Sequence, residues 1–357
     1  VTDDMLPAPG GDGPNGIRGL PAYLWDPKTS QIIDPRDARP TCSEDRLAAM
    51  EEVAKDKEAV EVAADICSGT QSMKPVYRHR KNHAYVALDD REEIFSAAQQ
   101  KTVKNTRYDI METSPEETMV VIVKETQRLK PRTKVQRIKL EEVWLSVPCG
   151  SYSKMDYING EHRFRVKEDP QRRPIQGTEK GKQAEEADAL VKKALKIIEY
   201  LAGKKAEQLE TGVMMVVEGV EIDLRGMEWF LENPVGMLAM QGFMQQFEKE
   251  FEYVWQRLTI DYCAWGHYYQ KNTHIWTSMI FWEPEGTQEE GEGRCRGRCP
   301  YGRLGDKGKW VHDYSIGQES SRVFGGEGRQ TSKGAVPVDL HRELVKVRRD
   351  HYRKLRA

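Results

Sequence analysis

The pattern that most constrains the fold is an apolar stripe near the middle of the chain. Apolar residues recur every three or four positions between Ala187 and Ala202. This period puts them on one face of an amphipathic helix, and that face needs a partner surface to cover it. Gly203 follows the stripe, where a helix-ending glycine is expected. The valine-rich segment 213–224 then predicts one strand or a tight strand pair.

Other segments add both kinds of element. Residues 114–117 place a serine cap, a proline and a glutamate at the positions that begin a helix. Ser43 can begin a helix that runs to about Cys67. A second long helical region is predicted from about Met227, with an interruption at Asn233-Pro234, and an apolar stripe continues it from Met240 through Cys263 and His267. Partial alternation over 135–147 is typical of a half-buried strand. We therefore predict an α+β fold of mixed helices and short antiparallel strands with long irregular extensions.

Composition along the chain predicts how it is divided. The segments are an extended arm at 1–40, an α+β domain at 41–175, a helix-rich α+β domain at 176–282, a glycine-rich charged region at 283–335 and a basic C-terminal helix at 336–357. The arm is rich in Pro and Gly, yet it carries large apolar side chains such as Trp25. Because such a segment cannot bury them alone, we expect it to dock on a protein surface, its own or a neighbour's.

Metal-ligating side chains concentrate in one region. Cys263 and His267 are four residues apart, and so are Cys295 and Cys299, as in a Cys3His zinc site. His274 is a competing ligand. The alternative is two buried structural residues and two unrelated loop cysteines. Reduced thiols are expected, with a Cys295–Cys299 disulfide in an oxidising compartment as the other reading.

The net charge argues against attraction to polyanions by an overall electrostatic field, whereas local basic clusters leave nucleic-acid binding open. The formal net charge is −2, so no overall field attracts the chain to nucleic acid or an anionic membrane. Basic residues cluster at 294–309 and 342–356, and basic groups beside aromatics suit single-stranded nucleic acid. The acidic run 283–292 precedes the first cluster and would repel phosphate, which favours internal pairing. No apolar run is long enough for a transmembrane segment.

Familiar catalytic signatures do not occur. The chain has no Gly-x-Ser-x-Gly, no phosphate-binding P-loop and no His-Glu-x-x-His. With the arm and the glycine-rich region, this favours a non-catalytic structural or accessory subunit that binds other subunits of a large assembly. The first residue, Val1, fits removal of a leader, so we expect a mitochondrial or other organellar setting, such as a respiratory complex, ATP synthase or ribosome. The alternatives are a zinc-supported nucleic-acid-binding protein or enzyme, and a viral or phage particle component.

Overall fold

The computed structural model describes a large part of the chain. Its described residues are 23–26, 31–32, 59–69, 71–77, 80, 82–96, 101–152, 164–167, 169–267, 271–286, 295, 302–304, 310–312 and 336–354. Most of the predicted arm and of the glycine-rich region lie outside them. The helix predicted from Ser43 to about Cys67 also lies outside them up to residue 58, and its last part is a strand, Val60–Ile66, rather than a helix.

Helices and strands alternate through the middle of the chain. The helices are α1 Lys74–Tyr77, α2 Pro115–Leu129, α3 Glu179–Thr211, α4 Gly242–Glu250 and α5 Val338–Lys354. The strands are β1 Tyr23–Asp26, β2 Gln31–Ile32, β3 Val60–Ile66, β4 His83–Asp89, β5 Glu93–Ser96, β6 Lys101–Lys104, β7 Thr106–Arg107, β8 Arg137–Ser146, β9 Met215–Val217, β10 Val220–Asp223, β11 Glu228–Pro234, β12 Trp255–Asp261, β13 Asn272–Thr277, β14 Gly302–Leu304 and β15 Trp310–His312. Among the described helices, none is both long and apolar enough to cross a membrane.

One large mixed sheet organises the fold. Its strands follow the order β2-β1-β12-β13-β11-β8-β3-β4-β7, and β10 and β9 extend it beside β8. The central strands β11, β8, β3, β4 and β7 are parallel. Strand β13 is antiparallel to both of its neighbours, β11 and β12. The predicted α+β class is confirmed. Strands of both predicted α+β domains share this sheet, and the domain boundaries themselves stay a prediction.

Helices cover both faces of the sheet. One apolar cluster joins β3, β4, β8 and β11 to α2, α3 and α4, and a second joins the other face to α1 and α5. Strand β8 shows the arrangement best, since Val143 and Leu145 belong to the first cluster and Trp144 to the second. A strand that is covered on both faces has buried residues at nearly every position. The half-buried strand predicted here is therefore buried on both faces.

The described helices and strands agree with the short sequence signals and differ from some predictions that were based on longer sequence patterns. Ser114 caps α2 through a complete capping box with Glu117, as predicted. Helix α3 continues past Gly203 and ends at Gly212, which has a positive φ of 71°. The long helical region predicted from about 227 to 267 is instead the strand β11, the short helix α4 and the strand β12. Strand β12 forms because it pairs with both β13 and β1, a stabilisation that helical spacing does not report.

A buried ion network joins α5 to the sheet. Arg348 on α5 donates from Nη1 to the Glu141 carbonyl at 2.7 Å and from Nη2 to Glu141 Oε2 at 2.5 Å. His83 Nε2 lies 3.1 Å from the same carboxyl oxygen. Burial opposes ionisation of Glu141, yet the charges of Arg348 and His83 hold its pKa well below the usual range. The network therefore fixes α5 against β8 with charges that depend on one another.

We expect Arg348→Met to destabilise the protein by about 3–5 kcal/mol, because it leaves Glu141 buried without its main counter-charge. Arg353→Met on the same helix is the control. Arg353 is exposed and lies 3.9 Å from Asp350, so its replacement should cost less than about 1 kcal/mol. Urea unfolding at neutral pH measures both changes. Equal effects for the two variants would contradict the buried network.

A second buried carboxyl links stability to pH. Asp65 of β3 accepts a hydrogen bond from the Tyr85 hydroxyl, and burial raises the Asp65 pKa to about 8. Folded protein therefore keeps a proton that the unfolded chain releases at its ordinary pKa. Stability from this group is complete at low pH and is lost as pH rises towards about 8.

We expect Asp65→Asn to flatten this dependence and to gain about 1–3 kcal/mol over the native chain at pH 8. Unfolding curves at pH 5, 6.5 and 8 measure the slope. Asp350→Asn on the surface of α5 is the control and should leave the slope unchanged. A parallel pH dependence in native protein and Asp65→Asn would show that Asp65 ionises normally.

Candidate active site

The carboxyl ends of four neighbouring parallel strands lie level at one edge of the sheet. Ile66 at the end of β3 pairs with Leu88 of β4 on one side and with Leu145 of β8 on the other. Ser146 of β8 pairs in turn with Glu232 of β11. The chain leaves β3 towards β4, whereas β8 lies on the opposite side, so the strand order reverses between β3 and β8. In open α/β sheets such a switch point opens a crevice in which ligands bind.

The loop after β3 turns tightly beside an acidic residue. Cys67 and Gly69 have positive φ angles of 58° and 46°. The Gly69 N–H donates to Asp89 Oδ2 at 2.7 Å, and Asp89 lies twenty residues further along the chain, at the end of β4. Arg91 donates to the other oxygen of Asp89 from its backbone and its side chain, both at 3.1 Å. A glycine turn with an acid about twenty residues later is the ribose-binding arrangement of doubly wound folds.

A buried amide holds this loop in place. Asn105 Nδ2 donates to the Gly69 carbonyl at 3.2 Å. Its Oδ1 accepts from Ser68 Oγ at 3.2 Å and from Gln71 Nε2 at 2.7 Å. Because one side chain satisfies both ends of the turn, the loop has its conformation before any ligand binds. A preformed loop loses little entropy on binding.

The loop after β8 carries a cysteine. Cys149 precedes the 3-10 turn Gly150–Tyr152, and its carbonyl accepts from the Tyr152 N–H at 3.1 Å. Arg165 is fully buried behind this turn and donates from Nε to the Ser151 carbonyl at 2.9 Å. Arg165 Nη2 also lies 2.6 Å from Asp188 Oδ1 on α3. The cysteine therefore stands on a turn that a buried ion pair anchors to the longest helix.

A carboxylate from the next strand faces the same region. Glu232 near the end of β11 is buried, and its Oε1 accepts from the Tyr262 hydroxyl at 2.8 Å and from Lys271 Nζ at 3.0 Å. No described residue donates to Oε2. Burial raises the Tyr262 pKa well above its ordinary value, with the Glu232 charge adding to the effect, so Tyr262 stays a donor. One carboxyl oxygen is thus fixed, and the other is left to receive a ligand.

Cys149, Glu232 and Lys271 share one electrostatic environment. Burial raises the pKa of the Cys149 thiol, the Lys271 charge lowers it and the Glu232 charge raises it. The charges of Lys271 and Glu232 therefore both act on the Cys149 thiol. The thiol is protonated at neutral pH in the free protein and becomes more nucleophilic as it ionises. Cys67 differs, because burial and the Asp89 charge raise its pKa with weak opposition from Arg91.

The turns after β8 and β11 are in direct contact. The Met237 N–H donates to the Tyr152 carbonyl at 2.8 Å. A Cβ at Gly236 would lie 2.1 Å from that same carbonyl oxygen, so only glycine allows this approach. The neighbouring Asn233 is fully buried, and neither polar atom of its amide bonds a described residue.

We expect Gly236→Ala to push the Glu232 turn away from the Cys149 turn, because backbone and not a flexible side chain blocks the new Cβ. The expected loss of stability is about 2–4 kcal/mol. Gly226→Ala is the matched control, since its Cβ would meet only Lys139 Cε at 3.8 Å. Thermal melts compare the two. Equal melting temperatures for the two variants would contradict the close contact.

The predicted zinc ligands have separate outcomes. Cys263 and Cys295 come together, with His312 as the third neighbour. His267 lies beside Tyr262 instead, with ring centroids 5.9 Å apart, and Cys299 lies outside the described residues. Cys263 is on a 3-10 turn and not on the predicted helix. Zinc binding by the predicted set stays a prediction.

Two other predicted features can be located in part. The competing ligand His274 lies in β13, where its Nδ1 is 3.0 Å from Thr259 Oγ1. The basic segment 342–356 overlaps α5, and its Arg348 is buried against Glu141 rather than exposed. Most of the segment 294–309 lies outside the described residues. Nucleic-acid binding through these segments stays a prediction.

The sequence patterns did not predict the residues at the crevice. Cys149, Glu232 and Asp89 were not among the predicted site residues. A signal was present, because each of the three stands at or just after the end of a buried apolar strand. Parallel strands bring such positions together, but the prediction of short antiparallel strands gave no reason to compare them.

Comparisons with known proteins find structural neighbours but no sequence relatives. No protein-family model matches the chain, and no curated protein matches its sequence. The methyltransferase EhMeth of Entamoeba histolytica is similar with a TM-score of 0.32 and 10% identity, over 62% of this chain and 53% of that chain. A mutant of DNMT2 from Spodoptera frugiperda has a TM-score of 0.29 and 13% identity, over 65% and 54%. The chain thus spans about half the length of these structures.

These findings correct the predicted function. A non-catalytic structural subunit in the mitochondrion was expected, whereas both neighbours are structures of methyltransferase-type proteins, so that prediction is wrong and is not retained. The sequence similarity is low, and the structural similarity carries no argument about the reaction of this chain. The function proposed below therefore rests on the residues at the switch point.

Proposed function

We propose that this chain is a methyltransferase that uses S-adenosylmethionine and methylates carbon 5 of a pyrimidine base, with cytosine preferred. The observation that carries the proposal is that Cys149 and Glu232 lie at the ends of the adjacent strands β8 and β11, next to the switch point, where the two following turns are in direct contact. A thiol and a carboxyl at the mouth of a doubly wound sheet provide a nucleophile and a proton donor beside a nucleoside-binding crevice.

The residues at β3 and β4 fit an adenosyl group. The Asp89 carboxylate would hold the ribose hydroxyls, and the turn from Cys67 to Gly69 lets the ligand approach the backbone closely. When bound, S-adenosylmethionine supplies a methyl group on a positively charged sulfur. The names of the two structural neighbours agree with this choice of cofactor.

Cys149 supplies the chemistry that a pyrimidine needs. Carbon 5 of the ring is a poor nucleophile, so it does not accept a methyl group unaided. A thiolate that adds to carbon 6 forms a sulfur–carbon bond and transfers the ring electrons to carbon 5. After carbon 5 has gained the methyl group, water accepts its remaining proton. The electrons of that bond form the double bond between carbons 5 and 6 again and expel the thiolate. A serine hydroxyl at this position would be a weaker nucleophile.

Glu232 supports the same reaction from the other side of the base. The Cys149 addition puts negative charge on ring nitrogen 3, and a proton donor next to that nitrogen, the role we propose for Glu232, neutralises it. Cytosine offers an acceptor at this nitrogen, which matches a donor on a single carboxyl oxygen. Uracil carries a hydrogen on nitrogen 3 and matches less well. Lys271 and Tyr262 hold Oε1, so Oε2 is the oxygen that meets the base.

Enzymes that act on a base in a duplex turn it out of the stack into a pocket. We therefore test transfer of a labelled methyl group from S-adenosylmethionine to pools of DNA and RNA oligonucleotides. Label is expected in pools that contain cytosine and not in pools with 5-methylcytosine in its place. Titration calorimetry with S-adenosylmethionine measures cofactor binding separately. Absence of both binding and transfer would overturn the proposal, and binding with transfer to other positions would overturn the assigned substrate.

A further inference from the structure

Three metal-binding side chains meet at a second place in the molecule. Cys263 Sγ, Cys295 Sγ and a ring nitrogen of His312 all lie within 4.8 Å of one another. Cys295 Sγ and His312 Nε2 are 3.3 Å apart. Cys263 is buried and the other two are half-buried. The three residues come from separate parts of the chain, so no local turn forces them together.

The fold holds each ligand in position. Cys263 stands on the 3-10 turn Tyr262–Trp265 that follows β12. Its neighbour Trp265 donates from Nε1 to Glu343 Oε2 of α5 at 2.8 Å. The Cys295 N–H donates to Asp261 Oδ2 at 2.8 Å, which ties its backbone to the end of β12. His312 is the last residue of β15, which pairs with β14 as a separate two-stranded sheet.

We propose that Cys263, Cys295 and His312 bind a zinc ion. Two thiolates and an imidazole are the ligand types that zinc prefers, and ligands about 2.0–2.3 Å from a tetrahedral ion lie about 3.3–3.8 Å apart. The 3.3 Å separation of Cys295 and His312 fits that range. Calcium and magnesium are excluded as preferred ions, because they take oxygen ligands.

The other cluster of possible ligands does not support a metal. Glu61 and Glu141 both lie against His83, with Nε2 at 2.7 Å and 3.1 Å from their carboxyl oxygens. Arg348 already donates to Glu141 from two nitrogens. The negative charge there is balanced within the protein, whereas the two thiols beside His312 offer the softer ligands that bind zinc.

The zinc ion would join the β14–β15 hairpin to the large sheet. Cys263 follows Tyr262, whose hydroxyl holds Glu232 Oε1, so the metal would fix the chain one residue from that contact. Zinc removal is therefore expected to loosen the hairpin first and to disturb the Glu232 position second. This effect on activity rests on the proposed methyltransferase function, but zinc binding does not.

Elemental analysis of the purified full chain tests the site directly. We expect about one zinc ion per chain, with a tenfold or greater loss in Cys263→Ser, Cys295→Ser and His312→Ala. Cys67→Ser, which changes a cysteine in the β3 loop, is the matched control and should keep its zinc. Substitution of cobalt into the native chain should give an intense thiolate-to-cobalt charge-transfer band, which does not depend on whether the variants fold.

Two results would overturn the proposal. One is native protein without stoichiometric zinc and without a cobalt charge-transfer band. The other is a Cys263–Cys295 disulfide in protein that was alkylated before purification, because oxidised sulfurs cannot bind the ion. Hydrogen exchange with and without a chelator adds a local measurement, with faster exchange expected over 302–312. Since none of these measurements uses methyl transfer, a failure of the proposed function leaves them interpretable.

Discussion

Replacing Cys149 with alanine is expected to abolish methyl transfer, with a loss of about 10⁴-fold or more. The thiolate forms the only covalent bond between protein and base in the proposed reaction, so no other described group replaces it. Binding of S-adenosylmethionine should persist, because the turn at Gly69 and the Asp89 carboxylate belong to β3 and β4. Label transfer and calorimetry on the same preparation separate the two properties.

A substrate analogue makes this prediction sharper. An oligonucleotide with 5-fluorocytosine has no proton to lose at carbon 5, so the bond between Cys149 and carbon 6 should persist after methyl transfer. A covalent protein–oligonucleotide adduct is expected with the native chain and not with Cys149→Ala. Cys42→Ala is the control and should form the adduct. An adduct in Cys149→Ala, or unchanged transfer by that variant, would show that Cys149 is not the nucleophile.

Replacing Glu232 with glutamine is expected to lower the rate of transfer by about 10²–10³-fold. Glutamine keeps the shape of the side chain and an oxygen for Tyr262 and Lys271, but it has no carboxyl proton to share with ring nitrogen 3. The loss should appear in kcat more than in KM, since charge develops on the base only during the addition.

Tyr262→Phe is the matched comparison for Glu232→Gln. It removes one hydrogen bond to Oε1 but leaves the carboxyl and Lys271 in place, so a smaller loss of about tenfold is expected. In Glu232→Gln, Lys271 stays buried beside an uncharged partner, which lowers stability. Melting temperatures of both variants therefore show whether any loss of activity comes from unfolding. If Glu232→Gln kept full activity, the carboxyl would have no part in protonating the base.

Local sequence patterns predicted several parts of this fold. The serine and glutamate at 114 and 117 specify the start of α2 through a capping box, which needs only four consecutive residues. The apolar stripe at 187–202 specifies much of α3 in the same way. The tight pair predicted over 213–224 forms as β9 and β10, with Glu218 and Gly219 at positive φ in the turn. These features depend on contacts between neighbours along the chain.

Sequence patterns also indicated two members of the cluster of possible zinc ligands and no residue of the crevice. The spacing of cysteines selected Cys263 and Cys295, which the fold brings together with His312, a residue that the spacing did not select. His312 belongs to β15, which is distant from Cys263 in sequence. The spacing of ligands identifies residues that are close together in one segment. It does not identify a ligand that comes from a different segment.

What the sequence determined by itself was the local part of the structure: the capped start of α2, the apolar face of α3 and the tight turn between β9 and β10. Only the tertiary structure decided that β12 is a strand and that β8 lies between β3 and β11. The same strand order brings Cys149 within reach of the Glu232 and Lys271 charges. The physical reason is that strand pairing joins residues that are far apart in sequence. The free energy of this pairing depends on the partner strand, and no periodic pattern within one strand identifies that partner.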